Sequence, residues 1–200
     1  MATVRAFSID DSATTEIDDA FSVQPQGDRT RIGIHIAAPA VALSRGHPLD
    51  TIAKSRMSTV CAPGLKYTML PDDWIDAFSL NAGRAAPVLS LYAEIDTETH
   101  EVLSTESRLE RLRIESNLRH DLLDAIVTEE TIVSGGFDSP HAAELSTLWQ
   151  VARKLLARRE QVRGRLLALF DTEFPELRGR VSRLENGPPV GFPVQFRVSG

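Results

Sequence analysis

One cysteine, Cys61, stands among 200 residues, so no intramolecular disulfide can form and nothing here calls for an oxidising compartment. Cys61 lies in STVCAPG, a strand-like apolar run without an activating base, which reads as buried packing rather than as a nucleophile. Aromatic residues make up only 6% of the chain, and no apolar run approaches the ~20 residues a membrane helix needs. The N-terminus lacks a signal-peptide pattern, so a cytoplasmic chain with no membrane partner is expected. Basic residues are outnumbered, 22 Lys and Arg against 28 Asp and Glu, for a net charge of −6. That balance excludes a protein that coats nucleic acid indiscriminately, but not a nuclease that draws a polyanion into one local groove.

What is present is globular material: 42% hydrophobic and 25% charged residues, enough for one domain of ordinary size or one and a piece of another. The densest charge lies in DDSATTEIDD, where Asp10, Asp11, Glu16, Asp18 and Asp19 occur with no base among them. Its flanks are strand-like. RAFSI precedes it, and AFSVQPQGDRTRIGIHIAA follows as two apolar or alternating strands joined through Gln26, Gly27 and Asp28. A short acidic connection pinned between strands crowds like charges, which raises carboxyl pKa values unless a cation or hydrogen-bond donors compensate.

Oxygen donors without Cys or His suit Mg²⁺ or Mn²⁺ and speak against structural zinc. Asp10, Ser12, Thr14, Glu16 and Asp18 alternate as in an EF-hand, but Thr15 stands where that loop turns on Gly and Phe21 where it ends on a bidentate Glu. Two readings stay open from these residues alone: a solvated acidic loop, and a carboxylate site suited to metal-assisted hydrolysis of a phosphodiester.

Further along, Asp50 is placed to cap a short helix running through Ser58. APGLKYTMLPDD reads as a loop, and VLSLYAEID alternates as a strand that turns at TETHE. From about residue 107, Leu109, Leu112, Leu118, Leu122 and Ile126 recur at roughly helical spacing. After GGFDSP, Ser139 and Pro140 are placed to open a second long helix carrying Leu145, Leu148, Trp149, Ala152, Leu155 and Leu156 on one side. The expected class is α+β: a mixed sheet with the acidic loop in the N-terminal half, helices from about 107 to 170, and a C-terminal strand pair.

SIDDSATTEIDDAFSV, GIHIAAPA, GHPLDTIAKSRMSTVCAPG and TMLPDDWIDAFSLNAG, in that order and spacing, resemble the catalytic domain of the ribonuclease II (RNB) family of 3′ to 5′ exoribonucleases over about residues 5–163. The resemblance implies a mixed α+β fold, Mg²⁺ at an acidic centre with Mn²⁺ as substitute, and single-stranded RNA as partner. Its four acids fall on Asp10, Glu16, Asp18 and Asp19. Asp10 and Asp19 are expected to ligate metal, and Asp18 to place a second ion or the attacking water; Asp18 and Asp19 are the expected catalytic pair. Glu16 departs from the Asp of the best-known members, and Asp11 is extra to the motif.

His35, in the family's GIHIA strand, is expected to be a packed strand residue. His120 occupies a position where relatives commonly carry a base-stacking aromatic, and Tyr67 and Arg84 lie in matched loops that could touch RNA. The resemblance also implies a longer catalytic domain, with a helix-borne arginine and clamping aromatics that this chain does not contain. Residues 166–200, with GPPVGFPVQFRVSG, resemble instead a periplasmic porter segment of resistance-nodulation-division efflux transporters. Two parts follow as an expectation, 1–165 and 166–200, joined near Arg163 to Leu166 in a composite chain; the alternative is a divergent insertion within a ribonuclease. The competing function is an inactive fragment serving as a folding or binding module, with self-association through exposed core or a sheet edge.

Overall fold

The computed structural model describes residues 4–62, 65–134 and 136–173. The chain divides into two units, Met1–Val151 and Ala152–Gly200. In the first, five strands close a barrel: β1 (Ala6–Asp10), β2 (Asp19–Gln26), β3 (Arg29–Ala37), β6 (Ala85–Asp96) and β7 (Val102–Arg119). The pairings are antiparallel except the last, where β7 runs parallel to β1 and removes both sheet edges. Between β3 and β6 lie a 3-10 turn (Pro39–Ala42), helix α1 (Pro48–Arg56), the separate hairpin β4 (Val60–Ala62) and β5 (Leu65–Tyr67), and α2 (Asp72–Phe78). Among the described residues three helices follow β7: α3 (His120–Leu123), α4 (Glu129–Ser134) and the 32-residue α5 (Ala142–Glu173).

The local causes are simple. The β2–β3 hairpin turns where expected, on Gly27 at φ +70° and Asp28, because a positive φ costs glycine nothing. Asp96 makes the next turn, its carboxylate accepting from the Thr99 N–H at 2.7 Å and the Glu98 N–H at 3.1 Å. The first helix begins one turn earlier than Asp50: His47 is its N-cap, accepting from the Leu49 N–H, while Asp50 lies in the first turn and accepts from the Gly46 N–H at 2.8 Å. Pro48 sits at the first helical position, where a missing N–H is harmless. Cys61 falls on β4, and its side chain lies outside the described residues.

The α+β class and mixed sheet match expectation; the helical reading from 107 does not. Residues 107–119 are strand, and the first helix after them starts at His120. Leu109 and Leu112 are spaced as on a helix, but Leu112 and Ile114 alternate on the core face, 5% and 0% exposed, while Leu109 is 62% exposed. Pairing to β6 over most of its length, and to β1 at its end, decided the conformation. The C-terminal strand pair falls on 174–200, outside the described residues.

The barrel interior has an apolar end, with Ala6, Ile17, Ala20, Leu80, Ala86, Val88, Leu112 and Ile114 in one cluster. Beyond it lies a buried polar centre. His35 Nδ1 is 2.8 Å from Ser90 Oγ and Nε2 is 2.9 Å from Ser22 Oγ, all three residues fully buried. So His35 is the packed strand residue expected. Outside the barrel Phe7, Ile132, Phe137 and Leu145 form a second cluster, which seats the helices against β1 and β7. On the wall of β3, β6 and β7, Ile34, Ile36, Leu89, Leu91 and Leu109 remain well exposed, with Ile34 opposite Leu91 and Leu89 between Ile36 and Leu109.

Candidate functional site

Three strand ends meet at one rim of the barrel. Asp10 ends β1, Asp19 begins β2, and Arg119, which ends β7, is the register partner of Asp10. The acidic loop is therefore the short bridge between two neighbouring strands. Its geometry is fixed at both ends by ordinary backbone chemistry. Asp11 turns it, accepting from the Ala13 N–H at 2.7 Å on Oδ1 and from the Thr14 N–H at 2.9 Å on its carbonyl. Ile17, only 2% exposed, anchors the other end: its N–H donates to Ser79 Oγ and its carbonyl accepts from the Leu80 N–H, both at 2.9 Å. The Asp18 carbonyl accepts from the Ala37 N–H at 2.8 Å.

Asp10 is held from beneath. The fully buried Ser8 hydroxyl donates to its Oδ2 at 2.5 Å, and Asn117 Nδ2 donates to Ser8 Oγ at 2.9 Å. The same amide group donates to the Leu80 carbonyl at 2.9 Å, while Asn117 Oδ1 accepts from the Ala82 N–H at 2.7 Å. One asparagine thus ties β1, β7 and the segment after α2 to a single carboxylate. Period-2 alternation puts Ser8 on the parity of Ala6 and Asp10; the role of Asn117 was invisible without the fold.

Carboxylates crowd one another in the loop, and Lys66 offsets this only in part. Desolvation, then the charges of Glu16, Asp19 and Asp10, hold the Asp18 carboxyl above the ordinary aspartate value, with Lys66 pulling it back. Desolvation and then Asp10 do the same to Asp19. Lys66, on β5, reaches the loop from outside the barrel, its Nζ lying 2.6 Å from Glu16 Oε1 and 3.0 Å from Thr15 Oγ1.

Opposite stand Arg119, donating to the Asp11 carbonyl at 2.8 Å, and His120, whose Nε2 is 3.3 Å from Asp11 Oδ2. Asp121 accepts from Ser12 Oγ at 2.7 Å, a bond that holds its carboxyl below the usual range. Lys66, Asn117, Arg119 and Asp121 are site residues that sequence reasoning missed, because each is brought in by a strand or helix remote in the chain; Ser8, two residues from Asp10 on β1, was missed although its parity was legible.

The expected site residues are only partly gathered. Asp10, Asp18 and Asp19 interact electrostatically at the rim, and His120 stands beside the loop through Asp11. Glu16 is engaged with Lys66. Tyr67, 64% exposed, adjoins Lys66 on the same short strand, whereas Arg84 pairs with Asp76 at 3.1 Å. The donor set is oxygen-only and self-repelling, which is the chemistry a hard divalent cation fits. As the side chains stand, however, no group of three or more His, Cys, Asp or Glu among the described residues is close enough together to hold an ion.

The exoribonuclease 2 of Serratia proteamaculans is 35% identical over 114 residues, 56% of this chain and 17% of that protein. The exoribonuclease 2 of Cronobacter sakazakii is 38% identical over 84 residues, 41% and 13% of the two. Among solved structures, yeast Ssd1, a pseudonuclease, matches with a TM-score of 0.67 at 25% identity over 78% of this chain and 18% of its own. RNase R of Mycoplasma genitalium, in complex with ribose-methylated single-stranded RNA, matches at 0.68 with 16% identity, over 80% and 25%. This chain therefore spans a quarter or less of the length of each of these relatives. The RNB domain family model matches residues 1–188, running past the junction read from sequence near Arg163 to Leu166, and this chain belongs to the RNB domain family.

Proposed function

We propose that the chain supplies part of the catalytic domain of a metal-dependent 3′ to 5′ exoribonuclease, whose substrate is single-stranded RNA and whose products are nucleoside monophosphates. The observation that carries this reading is the acidic loop itself: Asp10, Asp18 and Asp19 pinned at one barrel rim, with the carboxyls of Asp18 and Asp19 both pushed up by burial and then by neighbouring carboxylates. Family membership and the exoribonuclease relatives support it.

Asp10, Asp18 and Asp19 would hold Mg²⁺, or Mn²⁺ in its place. When bound, such an ion lowers the pKa of a water and offsets charge developing on a phosphodiester. The chain's own residues do the rest. Ser8 and Asn117 fix the Asp10 carboxylate, Ile17 fixes the loop backbone, and Arg119 and His120 stand where an RNA end approaching the acids would meet a guanidinium and a flat ring. Tyr67 adds an exposed aromatic on the hairpin, and Arg84 a cation at the foot of β6.

A second reading rests on the same site. Glu16 is committed to Lys66, the acids as placed do not close on one point, and a pseudonuclease shares the fold. For this chain acting alone we therefore expect cation binding with RNA hydrolysis weak or absent, since transition-state charge left without its stabilising donors costs roughly 10²–10³ in rate for each donor missing. Incubating a 3′-labelled oligoribonucleotide with the chain and Mg²⁺, beside an Asp18→Asn control, measures this. Vigorous monophosphate release that depends on Asp18 would show that the chain is a competent nuclease and overturn the second reading.

A further inference from the structure

Lys66 has a peculiar position. It lies 50 residues from Glu16 in sequence, on a two-stranded hairpin that shares no hydrogen-bonded strand with the barrel. Yet its ammonium is the cation that reaches the acidic loop's side chains from that hairpin, 2.6 Å from Glu16 and 3.0 Å from the Thr15 hydroxyl. Short isolated hairpins are marginal by themselves; among the described residues the flanks of this one are held by Arg56 donating to the Thr68 carbonyl at 2.7 Å and by the Met69 N–H donating to Thr59 Oγ1 at 3.1 Å, and β5 itself by Lys66. The loop's like charges need a cation, and a lysine ammonium meets that need with a single charge and hydrogen-bond donors.

We propose that Lys66 is a built-in counter-ion of the acidic loop, which pairs with Glu16 when no divalent cation is bound and competes with that cation for the loop. The inference rests on the loop being a divalent-cation site. Its consequence is a specific role for Glu16: not a permanent ligand, but the carboxylate that changes partner, from the Lys66 ammonium to the ion. Binding at the rim is then coupled to the hairpin, because the loop cannot satisfy Lys66 and a dication equally. The pair is partly open to water, with Lys66 38% and Glu16 19% exposed in their side chains, so the exchange needs no local unfolding.

The test is Mn²⁺ titration of the full chain, followed by the electron paramagnetic resonance signal of free Mn²⁺, with Lys66→Met and Lys66→Arg alongside. Removing one positive charge near a dication is expected to tighten Mn²⁺ binding roughly tenfold in Lys66→Met, while Lys66→Arg stays near the parent. Affinity that is equal or weaker in Lys66→Met overturns the proposal and leaves the cation site standing. Absence of Mn²⁺ binding in all three chains removes the cation site and the proposal together. A reading on the unaltered protein guards against a variant that folds poorly: the Lys66 ammonium resonance should shift as Mg²⁺ is added, and an ammonium signal that stays fixed while Mg²⁺ binds refutes the competition.

Discussion

Gly33→Ala is expected to destabilise the barrel by about 3 kcal/mol and to lower Tm by roughly 10 °C. Gly33 lies on β3 between Ser22 of β2 and Tyr92 of β6, and the ring of His35 folds back over it. A Cβ there would stand 2.5 Å from Ser22 Oγ, 2.6 Å from His35 Nε2 and 2.7 Å from His35 Cε1. None of these atoms can retreat cheaply. The imidazole is held on both nitrogens by Ser22 and Ser90 and meets Tyr92 edge-on at 5.5 Å, and Tyr92 in turn donates to Glu110 at 2.8 Å. Making room for one methyl group therefore breaks at least one buried hydrogen bond as well as straining the wall. Thermal melts followed by circular dichroism measure the effect, and an unchanged Tm would mean that the polar centre is looser than its distances indicate. Gly27→Ala is the comparison: there the cost is a positive φ with nothing near the added methyl, worth about 1 kcal/mol.

Stability is also expected to fall by up to about 3 kcal/mol as pH drops from 6.5 to 4, through His35 alone. Burial pulls this histidine from 6.5 down to about 4, with only a smaller upward pull from Glu110. The unfolded chain therefore takes up a proton across that window that the folded barrel refuses. Stability is full above pH 6.5, declines as pH falls through the window, and His35 adds no further slope below about 4. Urea unfolding at pH 7 and pH 4.5 checks this when the parent is compared with His35→Gln, which removes the titrating group and leaves the carboxylates alike in both. The parent should lose more stability than the variant between the two pH values; parallel losses would contradict the account.

What could be read in advance followed local signals. VLSLYAEID alternates with period 2, and the β2–β3 segments are apolar or alternating runs with turn residues at Gln26, Gly27 and Asp28, so the acidic loop between RAFSI and that hairpin could be placed between strands of one sheet. The misread stretch, 107–119, carries both patterns at once: Leu109 and Leu112 suggest a helix, whereas Leu112, Ile114 and Leu118 share one parity. What settles it is pairing with residues that are remote in sequence, as Leu112 with Ala86 and Ser116 with Phe7, and no window along the chain contains those partners. The site divides in the same way. Asp10, Asp18 and Asp19 announced themselves by density, while Asn117 and Lys66 reach them from other elements and bear no local mark of it.

The central claim is that Asp10, Asp18 and Asp19 share a divalent cation at the barrel rim. Soaking crystals of the chain in Mn²⁺ and recording anomalous diffraction tests it most directly. The account predicts a strong peak among those three carboxylates, with Glu16 drawn from Lys66 toward it; the three carboxylates facing bulk solvent separately, with no peak at the rim, would contradict it.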